Sequence, residues 1–386
     1  MNCVLAIDLG TSGPKAAVYS LQGQLVAHSR AETSVIYQPG GGAEQDPAAW
    51  QRAVNRAVLE VLSQKEVAPE KIVAIGCTGQ WSGTVAVVRK GRPLMNAITW
   101  LDARGAAYAR KITRGLVEVA GYGLDKVLTW VRLTGGIPTL SGKDSIAHIL
   151  YIKNERPDIY AQTYKFLEPK DYLNRYLTGR FAATYDSITL HWLTDNRDLN
   201  AVRYHNHLLD LAGVDREKLP DLIRATDLLG PIRPEIAEEW GLGRDVQVIG
   251  GAPDVHSAAI GSGAVADYEP HLYLGTSSWL ICHVPFKKTD LFHNMASLPS
   301  ALPDRYLLIN EQESAGACLE YLVDRLFFPD DVLSVGPRPS DLYTRLNTAA
   351  AAVAPGSDGL IFTPWLYGER TPVEDHTIRG GFSTSL

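Results

Sequence analysis

Short apolar runs broken by turn residues fill the first thirty positions of the chain. Residues 4–7 read as a strand, the stretch Asp8-Leu9-Gly10-Thr11-Ser12-Gly13 as a turn, and residues 15–19 as a second strand. Gln22-Gly23-Gln24 turns again before a third strand at residues 25–27. This pattern predicts an antiparallel meander, not a strand feeding a helix. A helix follows, with Asp46 suited to the N-cap and Pro47 to the first helical position. Trp50, Val54, Val58 and Val61 then recur at helical spacing. Residues 72–76 form the next predicted strand. Strand, helix and strand after a meander indicate a mixed α/β sheet. Residues 145–155 and 171–177 read as helices. Residues 246–250 read as a strand, followed by a helix from Val255, and residues 271–274 as another strand. A length of 386 residues favours more than one domain, and Gly241-Leu242-Gly243 suggests a boundary near residue 244, giving domains 1–244 and 245–386.

Composition narrows the function classes. Apolar residues make up 45% and charged residues 21%, in the globular range. The net charge of −6, from 37 basic and 43 acidic residues, gives no basic excess for a nucleic-acid partner. Cys3, Cys77, Cys282 and Cys318 lie far apart with no CxxC spacing, which fits a reducing cytoplasm. No apolar run of about 18 residues and no basic leader is present, so a soluble cytoplasmic protein with no membrane partner is expected.

Several turns carry candidate chemistry, each beside a plainer reading. In the Asp8 to Gly13 turn, small residues let backbone N–H groups approach a phosphate, and Thr11 and Ser12 add hydroxyls. Asp8 could hold Mg²⁺ there; the plainer reading is a tight Asx hairpin. It is neither a Walker A loop nor GxGxxG. In Gly250-Gly251-Ala252-Pro253-Asp254, Asp254 could be a general base or simply a helix cap. Gly79-Gln80-Trp81-Ser82-Gly83 offers an aromatic face with amide and hydroxyl groups, suited to a sugar or to an ordinary packed loop. Trp100, Asp102 and Arg104 could clamp hydroxyls or form a surface ion pair. Leu9-Gly10-Thr11-Ser12 recurs as Leu274-Gly275-Thr276-Ser277, each after an apolar strand, which suggests two related halves. His205-Asn206-His207 has no sensibly spaced third ligand and reads as a solvated loop.

These motifs occur in one order along the whole chain, together with Glu44-Gln45-Asp46-Pro47, Pro169-Lys170-Asp171-Tyr172 and Gly368-Glu369-Arg370-Thr371-Pro372. In that order they resemble the FGGY family of carbohydrate kinases, within it the xylulokinase-like branch. The resemblance implies two ribonuclease-H-like domains of the actin/hexokinase superfamily, with sugar and ATP meeting in a cleft. It implies ATP- and Mg²⁺-dependent phosphorylation of a terminal hydroxyl of a ketopentose such as D-xylulose. By motif, Asp254 would be the base and Asp8 the metal-linked carboxylate. Gln80, Trp81, Ser82, Trp100, Asp102 and Arg104 would face the sugar. Gly10, Thr11, Ser12, Lys15, Gly275, Thr276 and Ser277 would face ATP. The partners expected are the sugar and ATP, with a homodimer left open.

The chain also departs from the family. Trp81-Ser82 stands where the xylulokinase branch carries Met-His, which bears on the choice of sugar. Ala147-His148-Ile149-Leu150-Tyr151 lacks the usual Lys and Trp, and Pro14 lies in the first hairpin. Relatives continue beyond Ser383-Thr384-Ser385-Leu386 into an adenosine-binding turn, so an incomplete second domain is expected. The alternatives to a kinase are a sugar-binding pseudokinase that has lost nucleotide, and an actin-like ATPase. The second leaves GQWSG and WLDAR unexplained.

Overall fold

The computed structural model describes residues 2–275, 277–290, 293, 295–332, 336–366, 368–369, 371, 375 and 377–384. The chain divides into two compact units. The first comprises residues 1–267, 283–288 and 297–307; the second comprises residues 268–282, 289–296 and 308–386. The first unit thus runs on past residue 244, through the helix that begins at Asp254.

The first unit is built on a six-stranded sheet. Strands β1 (Cys3–Gly10), β2 (Gly13–Ser20) and β3 (Leu25–Arg30) form the expected meander. Helix α1 (Pro47–Leu62) then crosses to β4 (Ile72–Gly79), which pairs with β1 in parallel. Helices α2 (Ser145–Glu155) and α3 (Pro169–Thr178) follow, then β5 (Leu228–Pro231), β6 (Gln247–Ile249) and α4 (Asp254–Gly261). The sheet order is β5-β6-β4-β1-β2-β3, with β6, β4 and β1 mutually parallel.

Period-2 alternation turns Leu5, Ile7 and Leu9 of β1 into the core, where all three are buried. The apolar stripe of α1, Trp50, Val54, Val58 and Val61, is buried in the same cluster. The helix starts as its sequence predicts: Asp46 Oδ1 accepts the Ala48 N–H at 2.8 Å and Pro47 occupies the first turn. The alternation that buries Ile7 and Leu9 sets Asp8, between them, on the opposite face of β1 near its carboxyl end.

The second unit contains the hairpin of β7 (Pro270–Leu274) with residues 278–282 of β8 (Ser278–Val284), in register from Pro270 with Cys282 to Leu274 with Ser278. It also contains α5 (Gly316–Leu322), α6 (Leu342–Ala351) and a hairpin of β9 (Leu360–Thr363) and β10 (Gly381–Thr384). Among the described residues, no helix is long and apolar enough to cross a membrane.

Candidate active site

Three neighbouring parallel strands end at one edge of the first unit's sheet, the place where open α/β sheets bind ligands. β1 delivers Asp8 and the Gly10 to Gly13 turn, β4 delivers residues 80–83, and β6 delivers Gly250 to Asp254.

Asp8 Oδ2 accepts a hydrogen bond from Lys15 Nζ at 3.1 Å, while Oδ1 is buried without a hydrogen-bond partner. Asp254 is the first residue of α4. Its Oδ1 accepts the Val255 N–H at 2.8 Å, a bond to the first turn of α4. Asp254 keeps some contact with solvent, yet protein surrounds most of it. Burial pushes its carboxyl up to about 7. The charge of Asp8 adds to the rise; the Val255 N–H and Lys15 oppose it. Asp8 and Asp254 therefore share one electrostatic environment. A carboxyl poised near neutrality can accept a proton from an attacking hydroxyl.

The first hairpin turn is held from behind. Gln45 Nε2 donates to the Thr11 carbonyl at 2.8 Å, and the Thr33 N–H donates to the Ser12 carbonyl at 3.1 Å. Because the peptide is planar and trans, the Ser12 N–H points away from Gln45. That leaves the turn in a state suited to an anion. Gly13 has φ +135°, and a Cβ there would lie 2.1 Å from the Ala31 carbonyl oxygen, so only glycine fits. The Thr11 hydroxyl is already committed: it donates to Gln80 Oε1 at 3.3 Å and accepts from Trp100 Nε1 at 3.0 Å. Gln80 Nε2 in turn donates to Gln45 Oε1 at 2.8 Å. Thr11 and Gln80 thus brace the turn, with Gly10 pairing Gly13 at its base and Lys15 exposed beside Asp8.

The loop at residues 80–83 is pinned by three other segments. Trp81 Nε1 donates to the Ser187 carbonyl at 3.0 Å, Ser82 Oγ to the Lys143 carbonyl at 2.7 Å, and Glu168 Oε2 accepts the Gly83 N–H at 3.0 Å. Ser82 has φ +61°, a strained value for a residue with a Cβ. Trp81 and Ser82 are buried, and the Trp81 ring meets His256 edge-on at 5.3 Å between centroids.

Trp100 is 42% exposed, whereas Asp102 is fully buried. Asp102 accepts from the Ala43 N–H at 2.9 Å and from the Arg104 backbone and guanidinium. Arg104 also donates to Glu44 Oε1 at 2.6 Å and lies over the Tyr151 ring. The surface ion pair considered from the sequence is therefore an interior network, because both carboxylates lie under the chain and need a cation. Asp102 and Arg104 spend their hydrogen bonds on the protein itself.

In the second unit, the Gly275 N–H donates to the Ser277 carbonyl at 2.9 Å and the Gly316 N–H to the Gly275 carbonyl at 2.7 Å. Thr276 lies outside the described residues, as do Arg370 and Pro372 of the last motif. Gly275 borders a groove of about 510 Å³ lined by Gly316, Ala317, Glu320, Tyr321 and Asp324.

Four residues had no assigned part in the sequence reading. Gln45 holds the first turn. Lys170 and Asn174, on α3, hold the Gly250 carbonyl at 2.9 and 2.7 Å. Asp186 is a second buried carboxyl, pushed up to about 7 by burial with Lys170 opposing. Gln45 and Lys170 lie inside motifs that were visible in the sequence. Their partners are far along the chain, and only the fold reveals them.

Residues 3–261 match the FGGY family of carbohydrate kinases, N-terminal domain. The chain belongs to this family. It is 28% identical over 382 residues to a xylulose kinase of Lactococcus lactis, covering 99% of this chain and 71% of that protein. It is 27% identical to a gluconokinase of Bacillus subtilis, covering 98% of this chain and 70% of that one. The crystal structure of a xyloylose kinase from Brucella ovis superposes with a TM-score of 0.84 at 28% identity, over 100% of this chain and 73% of that chain. The FGGY chain is a carbohydrate kinase with two domains of the actin/hexokinase type, as its motifs implied. Membership implies ATP as phosphoryl donor, with Mg²⁺ its usual companion.

Proposed function

We propose that this FGGY kinase transfers the γ-phosphoryl group of ATP to the terminal hydroxyl of a neutral ketopentose of the xylulose type. The carrying observation is the pair Asp8 and Asp254, with Asp254 raised to about 7 beside a second carboxylate. Asp254 accepts the hydroxyl proton as the oxygen attacks the γ-phosphorus; the bond from that phosphorus to the bridging oxygen breaks, and ADP leaves. The braced turn of residues 10–13 presents N–H groups to the phosphates.

The residues fit Mg²⁺. That ion prefers one or two carboxylates plus substrate phosphate and retained waters, and Asp8 Oδ1 is a buried oxygen with no hydrogen-bond partner. When bound, the ion offsets charge on the phosphoryl group. Among the described residues, no cluster of three or more acidic, His or Cys groups could hold a metal ion by itself.

Relatives act on both xylulose and gluconate by name, so charge is the useful discriminator. An aldonate needs a cation near the acceptor. Lys15 pairs with Asp8, and Lys170 with Asp171 at 2.6 Å, so each already has a carboxylate partner. A neutral ketose asks for no such partner.

A coupled ADP-release assay on the purified chain, with D-xylulose, other ketoses and gluconate, tests the reading. Xylulose-type ketoses are expected to turn over and gluconate to fail. Preference for gluconate would overturn the substrate class, and sugar binding without ADP release would favour the pseudokinase.

A further inference from the structure

The turn that carries Asp254 begins with two glycines, the least self-determining dipeptide a chain can use. Gly251 sits at φ +68°, and a Cβ there would lie 2.0 Å from the Cys77 carbonyl oxygen, so the glycine is required. Such a segment cannot hold a base in place by its own stiffness. Its N–H groups are fixed by ordinary backbone bonds, Gly250 to the Asp227 carbonyl and Gly251 to the Ala225 carbonyl, each at 2.9 Å. Its carbonyls are fixed by side chains. Lys170 Nζ donates to the Gly250 carbonyl at 2.9 Å and reaches the Gly251 carbonyl at 3.5 Å. Asn174 Nδ2 donates to the Gly250 carbonyl at 2.7 Å.

Lys170 is 1% exposed. Its ammonium pairs with Asp171 Oδ1 at 2.6 Å and donates to Thr184 Oγ1 at 3.2 Å. Asp171 Oδ2 accepts the Ser187 hydroxyl, and the Ser187 carbonyl accepts Trp81 Nε1 at 3.0 Å. A continuous chain of hydrogen bonds and one ion pair therefore runs from the Trp81 loop through Ser187, Asp171 and Lys170 to the glycines before Asp254. A buried ion pair is weak evidence for stability, since well-packed apolar residues often replace one without loss. Its directional bonds can nonetheless fix the position of a turn.

We propose that Lys170 and Asn174 are positioning residues for phosphoryl transfer. The strut Trp81–Ser187–Asp171–Lys170–Gly250 sets the Asp254 carboxyl relative to the loop expected to hold the acceptor sugar. This rests on Asp254 being the base. Neither side chain touches the reacting atoms; each acts through the Gly250 carbonyl. A displacement of the base by about 1 Å is enough to lower turnover by roughly a hundredfold.

The test uses Asn174→Leu and the double replacement Lys170→Met with Asp171→Leu, which removes both partners of the ion pair together. Expected for Asn174→Leu is a fall in kcat of about tenfold, and for the double variant roughly a hundredfold. In Asn174→Leu, the sugar Kd by titration calorimetry stays within about twofold of the parent, since Asn174 acts through the Gly250 carbonyl alone and the Trp81 loop is untouched. In an Asp254→Asn background, Asn174→Leu should cost nothing further in residual turnover. Parent kcat in folded Asn174→Leu overturns the proposal, as does a rise in sugar Kd that accounts for the whole loss. Should the double variant fail to fold, Asn174→Leu decides alone, because it removes only a neutral amide. If Asp254→Asn itself turns over at the parent rate, the base assignment fails. If it is inactive while Asn174→Leu is normal, only the strut fails.

Discussion

Replacing Asp254 by Asn removes a titrating carboxyl at almost constant volume, and its effect on stability can be worked out. In an unfolded chain the carboxyl titrates near 4, whereas the folded protein holds it at about 7. Between those values the native state binds more protons than the unfolded state. Stability therefore falls as pH rises through the window, by about 1.4 kcal/mol per pH unit. The penalty is absent below about pH 4 and complete above about pH 7. Across about three units the upper limit is about 4 kcal/mol, and the solvent contact Asp254 retains lowers this to roughly 2–4 kcal/mol. Asp254→Asn lacks the penalty, so the variant should be more stable than the parent at pH 8, with the gain smaller by about 1–2 kcal/mol at pH 5.5. Urea unfolding of both proteins at the two pH values, followed by tryptophan fluorescence, measures the difference. Turnover should fall by at least roughly a hundredfold in the same variant. A stability difference that does not change with pH would mean the carboxyl is not held high. A loss of stability at pH 8 would mean that Asp254 is an ordinary structural carboxylate.

Other consequences follow from the same contacts. The acid limb of kcat/KM should lie near pH 7, and in residual turnover of Asp8→Asn it should move to lower pH, because the neighbouring charge is gone; an unmoved limb would separate the two carboxyls. Gln45→Leu frees the Thr11 carbonyl and loosens the first turn, so the KM for ATP should rise about tenfold while that for sugar changes little; the reverse pattern in steady-state kinetics would deny the turn its phosphate role. Arg104→Met leaves Asp102 and Glu44 without their cation and should cost roughly 3–5 kcal/mol in urea unfolding; a variant of parent stability with a raised sugar KM would return Arg104 to the substrate.

Local pattern carried the elements of the first unit well, because strand alternation, the Asp46 cap and the α1 stripe are written within a few residues of one another. Helix α2 matches its sequence expectation for the same reason. The candidate site was legible only in part. Asp8 and Asp254 announced themselves as carboxylates at strand ends beside glycines. Asp102 and Arg104 looked like solvent-facing groups, since nothing local shows that Glu44 lies against them or that Ala43 donates to Asp102. Burial is a long-range property, and here it shows Asp102 and Arg104 joined to Ala43 and Glu44 in an interior network.

The same reasoning explains why Gln45, Lys170 and Asn174 escaped notice while Asp8 and Asp254 did not. A reacting group needs a particular chemistry at a strand end, and the strand signal and the residue type stand side by side. An orienting group needs only a donor in the right place, and any element can supply it. Lys170 and Asn174 come from a helix some eighty residues before the glycines they hold, and Gln45 reaches a turn more than thirty residues earlier. What makes them findable is the weakness they compensate. A glycine pair ahead of Asp254 implies that something else must fix the backbone. Searching for what grips that carbonyl leads straight to α3.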